Sequence, residues 1–130
     1  MADQKGMSVL IVDDNEMTRE VLRVILRHEG YIVVGEATDG DTGLEMAKRL
    51  KPNIILLDVV MPTLNGLDAL KEIKDALPKA IILMVTSNKD RDTFAAALQS
   101  GVSGYIIKPF NAGTVADALE LAIAKTARPT

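Results

Sequence analysis

Five short apolar runs recur along this chain at near-even spacing: Val9 to Val12, Ile32 to Val34, Ile54 to Leu57, Ala80 to Val85 and Tyr105 to Ile107. Each is rich in Val, Ile and Leu and lacks the polar alternation of a half-solvated strand. Such runs suit strands buried on both faces of a parallel sheet. Between them, apolar residues fall at helical spacing. Met17, Val21, Val24 and Ile25 share one face, as do Leu44, Ala47 and Leu50. Leu67, Leu70, Ile73 and Leu77 form a third stripe. Phe94 and Leu98 mark a fourth helix, and Val115, Leu119, Ala122 and Ile123 a fifth. Gly30, Pro52, Pro78 and Gly101 stand where these helices should stop. Asn15, Asp41, Asn65 and Asp90 can serve as N-caps.

A strand–helix unit repeated five times within 130 residues means one α/β domain, an open parallel sheet with helices on both faces. Right-handed crossovers leave few strand orders. The order 2-1-3-4-5 is favoured by analogy with other doubly wound sheets. The domain is expected over residues 8–126, with short tails at 1–7 and 127–130.

Composition narrows the chemistry. A net charge of −3 gives no sign of a nucleic-acid-binding surface. With no cysteine, disulfides, thiol nucleophiles and thiolate metal sites are excluded. His28 is the only imidazole, which disfavours zinc hydrolase and Ser-His-Asp chemistry; it ends the first helix and is expected to be solvated. Met17, Met46 and Met84 read as packing residues. No apolar run reaches the ~18 residues of a membrane span, and the polar start is unlike a signal peptide. A cytoplasmic location is the expectation.

Ligands of such sheets bind outside the carboxyl ends of the strands, where the strand order reverses. Strand 1 is followed by Asp13-Asp14, strand 3 by Asp58, strand 4 by Thr86-Ser87 and strand 5 by Lys108-Pro109. Strand 2 ends in Glu36 and should lie to one side. Taken singly, these residues have plain readings: Asp13 or Asp14 could cap the first helix, Asp58 could belong to a turn, Thr86 and Ser87 could cap the fourth helix, and Lys108 could be a surface lysine. Independent caps and turns do not explain acid, acid, hydroxyl and amine on adjacent strand ends. Three converging carboxylates repel one another and call for a hard cation with oxygen ligands, for which Mg²⁺ is suited. Three negative charges, a divalent cation and Lys108 leave a near-neutral pocket. Such a pocket could accept a phosphoryl group, with a carboxylate as nucleophile.

These segments resemble the CheY-like receiver family of response regulators in two-component signalling. "VLIVDDN" looks like its acidic-pair motif, "IILLDVVMPTLNG" like its phosphoacceptor motif, "VTS" like its switch-hydroxyl motif and "SGYIIKPF" like its lysine-proline motif. Together they span about Ser8 to Ala124. The resemblance implies a (βα)5 flavodoxin-like three-layer sandwich. It implies that Asp58 accepts a phosphoryl group from the phosphohistidine of a sensor histidine kinase or phosphotransfer protein. Asp13, Asp14, Asp58 and the main-chain carbonyl of Val60 would hold Mg²⁺, and Lys108 would bind phosphoryl oxygens. Thr86 and Tyr105 would form the switch, exposing a target-protein surface on the fourth helix, fifth strand and fifth helix. Pro62 and Gly66 would shape the loop after Asp58, and the Lys108–Pro109 peptide would be cis. Ser87 stands where the family usually has alanine. Val60 and Asn88 occupy positions that, in the family, tune phosphate loss.

Two other functions use similar residues. An aspartate-nucleophile phosphatase should carry a second acid two residues after the first, where this chain has Val60. A flavin carrier needs a Ser/Thr/Gly-rich phosphate loop where this chain has Asp13-Asp14. Within the receiver reading, the expectation is a phosphoacceptor signalling protein rather than an enzyme, a monomer or weak dimer that binds neither nucleic acid nor membrane. It is expected to stand alone, as in chemotaxis or a phosphorelay; the alternative is a receiver from a longer regulator such as a transcription factor.

Overall fold

The computed structural model describes residues 6–58, 66–87, 95 and 98–127, with backbone only at 66 and 67. In chain order the elements are β1 (Ser8–Val12), α1 (Glu16–His28), β2 (Ile32–Ala37), α2 (Gly40–Leu50), β3 (Ile54–Asp58), α3 (Gly66–Ala76), β4 (Ile81–Thr86), β5 (Gly104–Ile107) and a C-terminal helix (Ala112–Ala127). The five strands form one parallel sheet of order β2-β1-β3-β4-β5, as expected. Of the expected fourth helix, Ala95, Leu98 and Gln99 are described and helical.

Strand residues alternate between two cores because successive side chains leave opposite faces. Val9, Ile11, Leu56 and Leu83 join Leu22 and Leu26 of α1 and Val115, Leu119 and Ile123 of the C-terminal helix. Leu10, Val12, Leu57 and Ile82 join Ala47 of α2 and Leu70 and Ile73 of α3. The three central strands are therefore buried almost throughout. The edge strands are not: Ile32 is 52% and Tyr105 43% exposed, because an edge lacks a neighbour on one side. Burial on both faces, expected for all five runs, holds only for β1, β3 and β4.

The first helix also departs from expectation. Met17 and Val24 are exposed, whereas Leu22, Ile25 and Leu26 are buried. Two apolar stripes lie side by side on α1, and the sheet takes the one with the leucines. Met17 is thus no packing residue, while Met46 lies against the core and Met84 within it. His28 is solvated as expected.

Helix ends follow local chemistry. The Asn15 side chain caps α1 by accepting from the Thr18 N–H at 2.9 Å. The cap of α2 is Asp39, not Asp41; its Oδ1 accepts from the Thr42 N–H at 2.8 Å. The helix begins at Gly40, which places Asp41 inside its first turn. Gly30 and Gly101 have positive φ after helical segments, and Pro52 and Pro78 follow the ends of α2 and α3. Asn65, Asp90 and Phe94 lie outside the described residues, as does the side chain of Leu67.

Tyr31, just before β2, has its hydroxyl buried and without a hydrogen-bond partner among the described residues. Burial first, then the charges of Glu120 and Glu29, push the phenol up to about 12.

Gly43 lets α2 approach the end of β1. A Cβ there would lie 2.8 and 2.9 Å from the two methyls of Val12, a stiff β-branched side chain. Gly43→Ala gains about 1 kcal/mol of helix propensity against about 1–3 kcal/mol of overpacking. The expected result is a net loss of stability, read as a lower urea midpoint at unchanged m-value.

Candidate functional site

Strand register assembles the site. Val12 of β1 lies opposite Leu57 of β3, so the next residues, Asp13 and Asp58, emerge side by side. Asp58 lies opposite Val85 of β4, one residue before Thr86. Thr86 lies opposite Ile107 of β5, one residue before Lys108. The Lys108 N–H donates to the Thr86 carbonyl at 2.7 Å and continues the strand pairing into the site. The Lys108–Pro109 peptide is cis, as the resemblance implied.

Asp13 is 1% and Asp58 5% exposed, while Asp14 is open to solvent. The three offer carboxylate oxygens that all lie within 4.8 Å of one another. The Lys108 ammonium stands between the two buried acids, 3.3 Å from Asp13 Oδ2 and 3.5 Å from Asp58 Oδ2. Asp13 Oδ1 accepts from the Asn15 N–H at 2.8 Å. Its Oδ2 is buried and accepts no hydrogen bond among the described residues, the ammonium being its ion-pair partner. One lysine against three acids leaves the cluster net negative. Hard oxygen donors, one of them buried with spare lone pairs, suit a small divalent cation.

Thr86 is largely buried beside this cluster, and Ser87 is exposed. Tyr105 lies opposite Met84, and Ile107 opposite Thr86. Thr86 and Tyr105 therefore leave the same face of the sheet from adjacent strands, two register positions apart. Val60, Pro62 and Asn88, the remaining positions singled out by resemblance, lie outside the described residues.

The receiver domain of response regulators matches residues 9–120. The chain belongs to this family. The chemotaxis protein CheY of Thermotoga maritima is 40% identical over 88% of this chain and 95% of that protein. The transcriptional regulatory protein PdtaR of Mycobacterium tuberculosis is 38% identical over 90% of this chain, but only 57% of its own length. Among solved structures, the CheX–CheY–BeF3–Mg²⁺ complex of Borrelia burgdorferi superposes with a TM-score of 0.85 at 25% identity, covering 95% of this chain and 92% of that one. The chain is thus a receiver of two-component signalling, a phosphoacceptor module rather than a classical enzyme. The phosphatase and flavin-carrier rivals are set aside.

Some of the receiver's site residues carried no sequence signal. Glu36 lies to one side on edge strand β2 as expected, though the strand runs on to Ala37, and it pairs with Arg19 and Arg23 of α1. Its hydrogen bond and charge raise the Arg23 guanidinium further above its ordinary value. The Arg19 Nη1 donates to the Asp13 carbonyl at 2.8 Å. Arg19 and Arg23 do sit four apart on the helix that follows the acidic pair, a spacing that could have drawn notice.

Removing the central cation should expose the charge conflict. Lys108→Met is expected to destabilise the metal-free receiver by about 1–3 kcal/mol, since it leaves two buried carboxylates without their cation. Adding Asp58→Asn should restore most of the loss, measured by urea unfolding in chelator.

Proposed function

We propose that Asp58 is the phosphoacceptor of this receiver, charged from the phosphohistidine of a histidine kinase or phosphotransfer protein. The observation that carries this is the placing of Asp58 at the end of β3, among two further acids and a lysine. A carboxylate oxygen of Asp58 attacks the phosphorus, the phosphorus–nitrogen bond breaks, and the donor imidazole keeps the electron pair. The Lys108 ammonium neutralises charge on the phosphoryl oxygens, and it already reaches the acceptor carboxylate at 3.5 Å. Asp13, Asp14 and Asp58, with the Val60 carbonyl, would hold Mg²⁺. When bound, the ion supplies a positive charge that lets donor and acceptor, both anionic, approach. The Borrelia burgdorferi relative, crystallised with beryllofluoride and Mg²⁺, supports this ligand chemistry.

The switch would work through Thr86 and Tyr105. The phosphoryl oxygens offer the Thr86 hydroxyl a charge-assisted hydrogen bond. Inward movement of Thr86 vacates space on the sheet face it shares with Tyr105, and the aromatic ring gains by burial there. The surface of the fourth helix, β5 and the C-terminal helix then presents itself to a target protein. Among the described residues no helix is long and apolar enough to cross a membrane, in keeping with signalling in the cytoplasm. A chemotaxis protein of similar length and part of a longer transcriptional regulator both resemble this receiver, and either setting would give the chain the same phosphoacceptor role.

Acetyl phosphate with Mg²⁺ should add a phosphoryl group to the wild type and none to Asp58→Asn, read by intact mass. Equal labelling of both would refute the acceptor assignment. Thr86→Ala should still be labelled yet lose the phosphorylation-dependent NMR shift of the Tyr105 ring. The coupling at stake is about 1–3 kcal/mol, some 5- to 150-fold in population. An unchanged Tyr105 response in Thr86→Ala would refute the relay alone.

A further inference from the structure

Asp13 is fixed at each of its polar ends. Its N–H donates to the Ala37 carbonyl at 3.0 Å. Its Oδ1 accepts from the Asn15 N–H, its Oδ2 faces Lys108, and its carbonyl accepts from Arg19 Nη1. The last contact stands apart, because it comes from a long side chain that nothing in the proposed phosphotransfer uses. The Arg19 side chain is only 14% exposed. A guanidinium withdrawn this far from water is costly unless paired. Glu36 provides the pair: its Oε1 lies 3.4 Å from Arg19 Nε, and its Oε2 also engages Arg23. A line of contacts therefore runs from β2, through α1, to the peptide that joins the two acids of the β1–α1 turn.

We propose that Arg19, held by Glu36, is a positioning residue for the cation site, fixing the Asp13 carbonyl and thereby the relative setting of the Asp13 and Asp14 carboxylates. This rests on the reading of Asp13 and Asp14 as cation ligands. The reasoning is geometric. The Asp13 carbonyl and the Asp14 N–H belong to one planar peptide unit. Holding its oxygen sets the plane, and the plane sets the direction in which Asp14 leaves the turn. A small ion with strict coordination geometry tolerates little drift between its ligands, so a preset turn binds it more tightly than one that must first be ordered. The Glu36 carboxylate also balances the charge of Arg19, which would otherwise oppose a cation nearby.

The test compares Arg19→Ala, Arg19→Lys, Arg23→Ala and Asp14→Asn with the wild type. In the metal-free protein, Arg19→Ala should speed hydrogen exchange of the Asn15 amide about tenfold, which Arg23→Ala should not. In a Mg²⁺ titration followed by the Asp14 and Asn15 amide resonances, Arg19→Ala should weaken binding about 10- to 100-fold, the usual effect of losing an outer-shell partner. Arg19→Lys, which keeps a donor and a charge, should fall between Arg19→Ala and wild type and carries the test if the alanine variant does not fold. Wild-type exchange and wild-type Mg²⁺ affinity in the Arg19 variants would overturn the proposal. Equal weakening in Arg23→Ala would also overturn it, by showing general destabilisation of α1. If Asp14→Asn and wild type bind Mg²⁺ alike, the cation reading itself fails, and this inference with it.

Discussion

Like charges crowded at one sheet edge set the terms for the rest of this molecule. Two carboxylates about 4 Å apart repel by about 1 kcal/mol in water and about 4 kcal/mol near a protein surface, and here three lie within 4.8 Å of one another. Lys108 relieves part of this from between Asp13 and Asp58. The remainder is borne by the sheet. Full burial of a single Leu or Ile stabilises by about 1.5–3 kcal/mol, and Leu10, Ile11, Ile54, Leu56, Leu57 and Leu83 are all buried in the three central strands. A few such residues outweigh the repulsion, so the fold can hold a charge conflict that a bound cation would relieve.

This balance explains which features were legible in the sequence. The central strands were, because burial on both faces leaves uninterrupted Val, Ile and Leu. The acids, Thr86 and Lys108 were, because each stands at or just past the end of a strand in a sheet whose register is set by that burial. The edges were less so. Strand 2 was expected at the edge, and it lies there, but its run Ile32 to Val34 also looked doubly buried and is not; β2 ends at Ala37, one residue past the expected Glu36. The face of α1 was misjudged for a related reason. Met17, Val21 and Val24 are as regularly spaced as Leu22, Ile25 and Leu26, and spacing alone does not say which stripe meets the sheet. Arg19 and Glu36 were missed altogether as partners: an ion pair between a helix and a strand has no fixed spacing along the chain.

The same packing bears on how a buried event could reach the surface. A close-packed interior yields little, and every residue of β3 and of β4 is buried. A signal formed at Asp58 therefore has no room to travel along the middle of the sheet. Room appears at β5, where Ile106 is locked into the core at 2% exposure while its neighbour Tyr105 is 43% exposed. One strand thus combines a fully packed residue with a half-exposed one. Tyr105 also shares its sheet face with Thr86 on the adjacent strand. Only an element with two available positions can be biased by a ligand, and this edge strand joins a half-exposed aromatic ring to the buried sheet through its pairing with β4. The proposed relay through Thr86 to Tyr105 fits that constraint: a motion that begins in the tightly packed centre of the sheet would leave by the edge strand that adjoins β4.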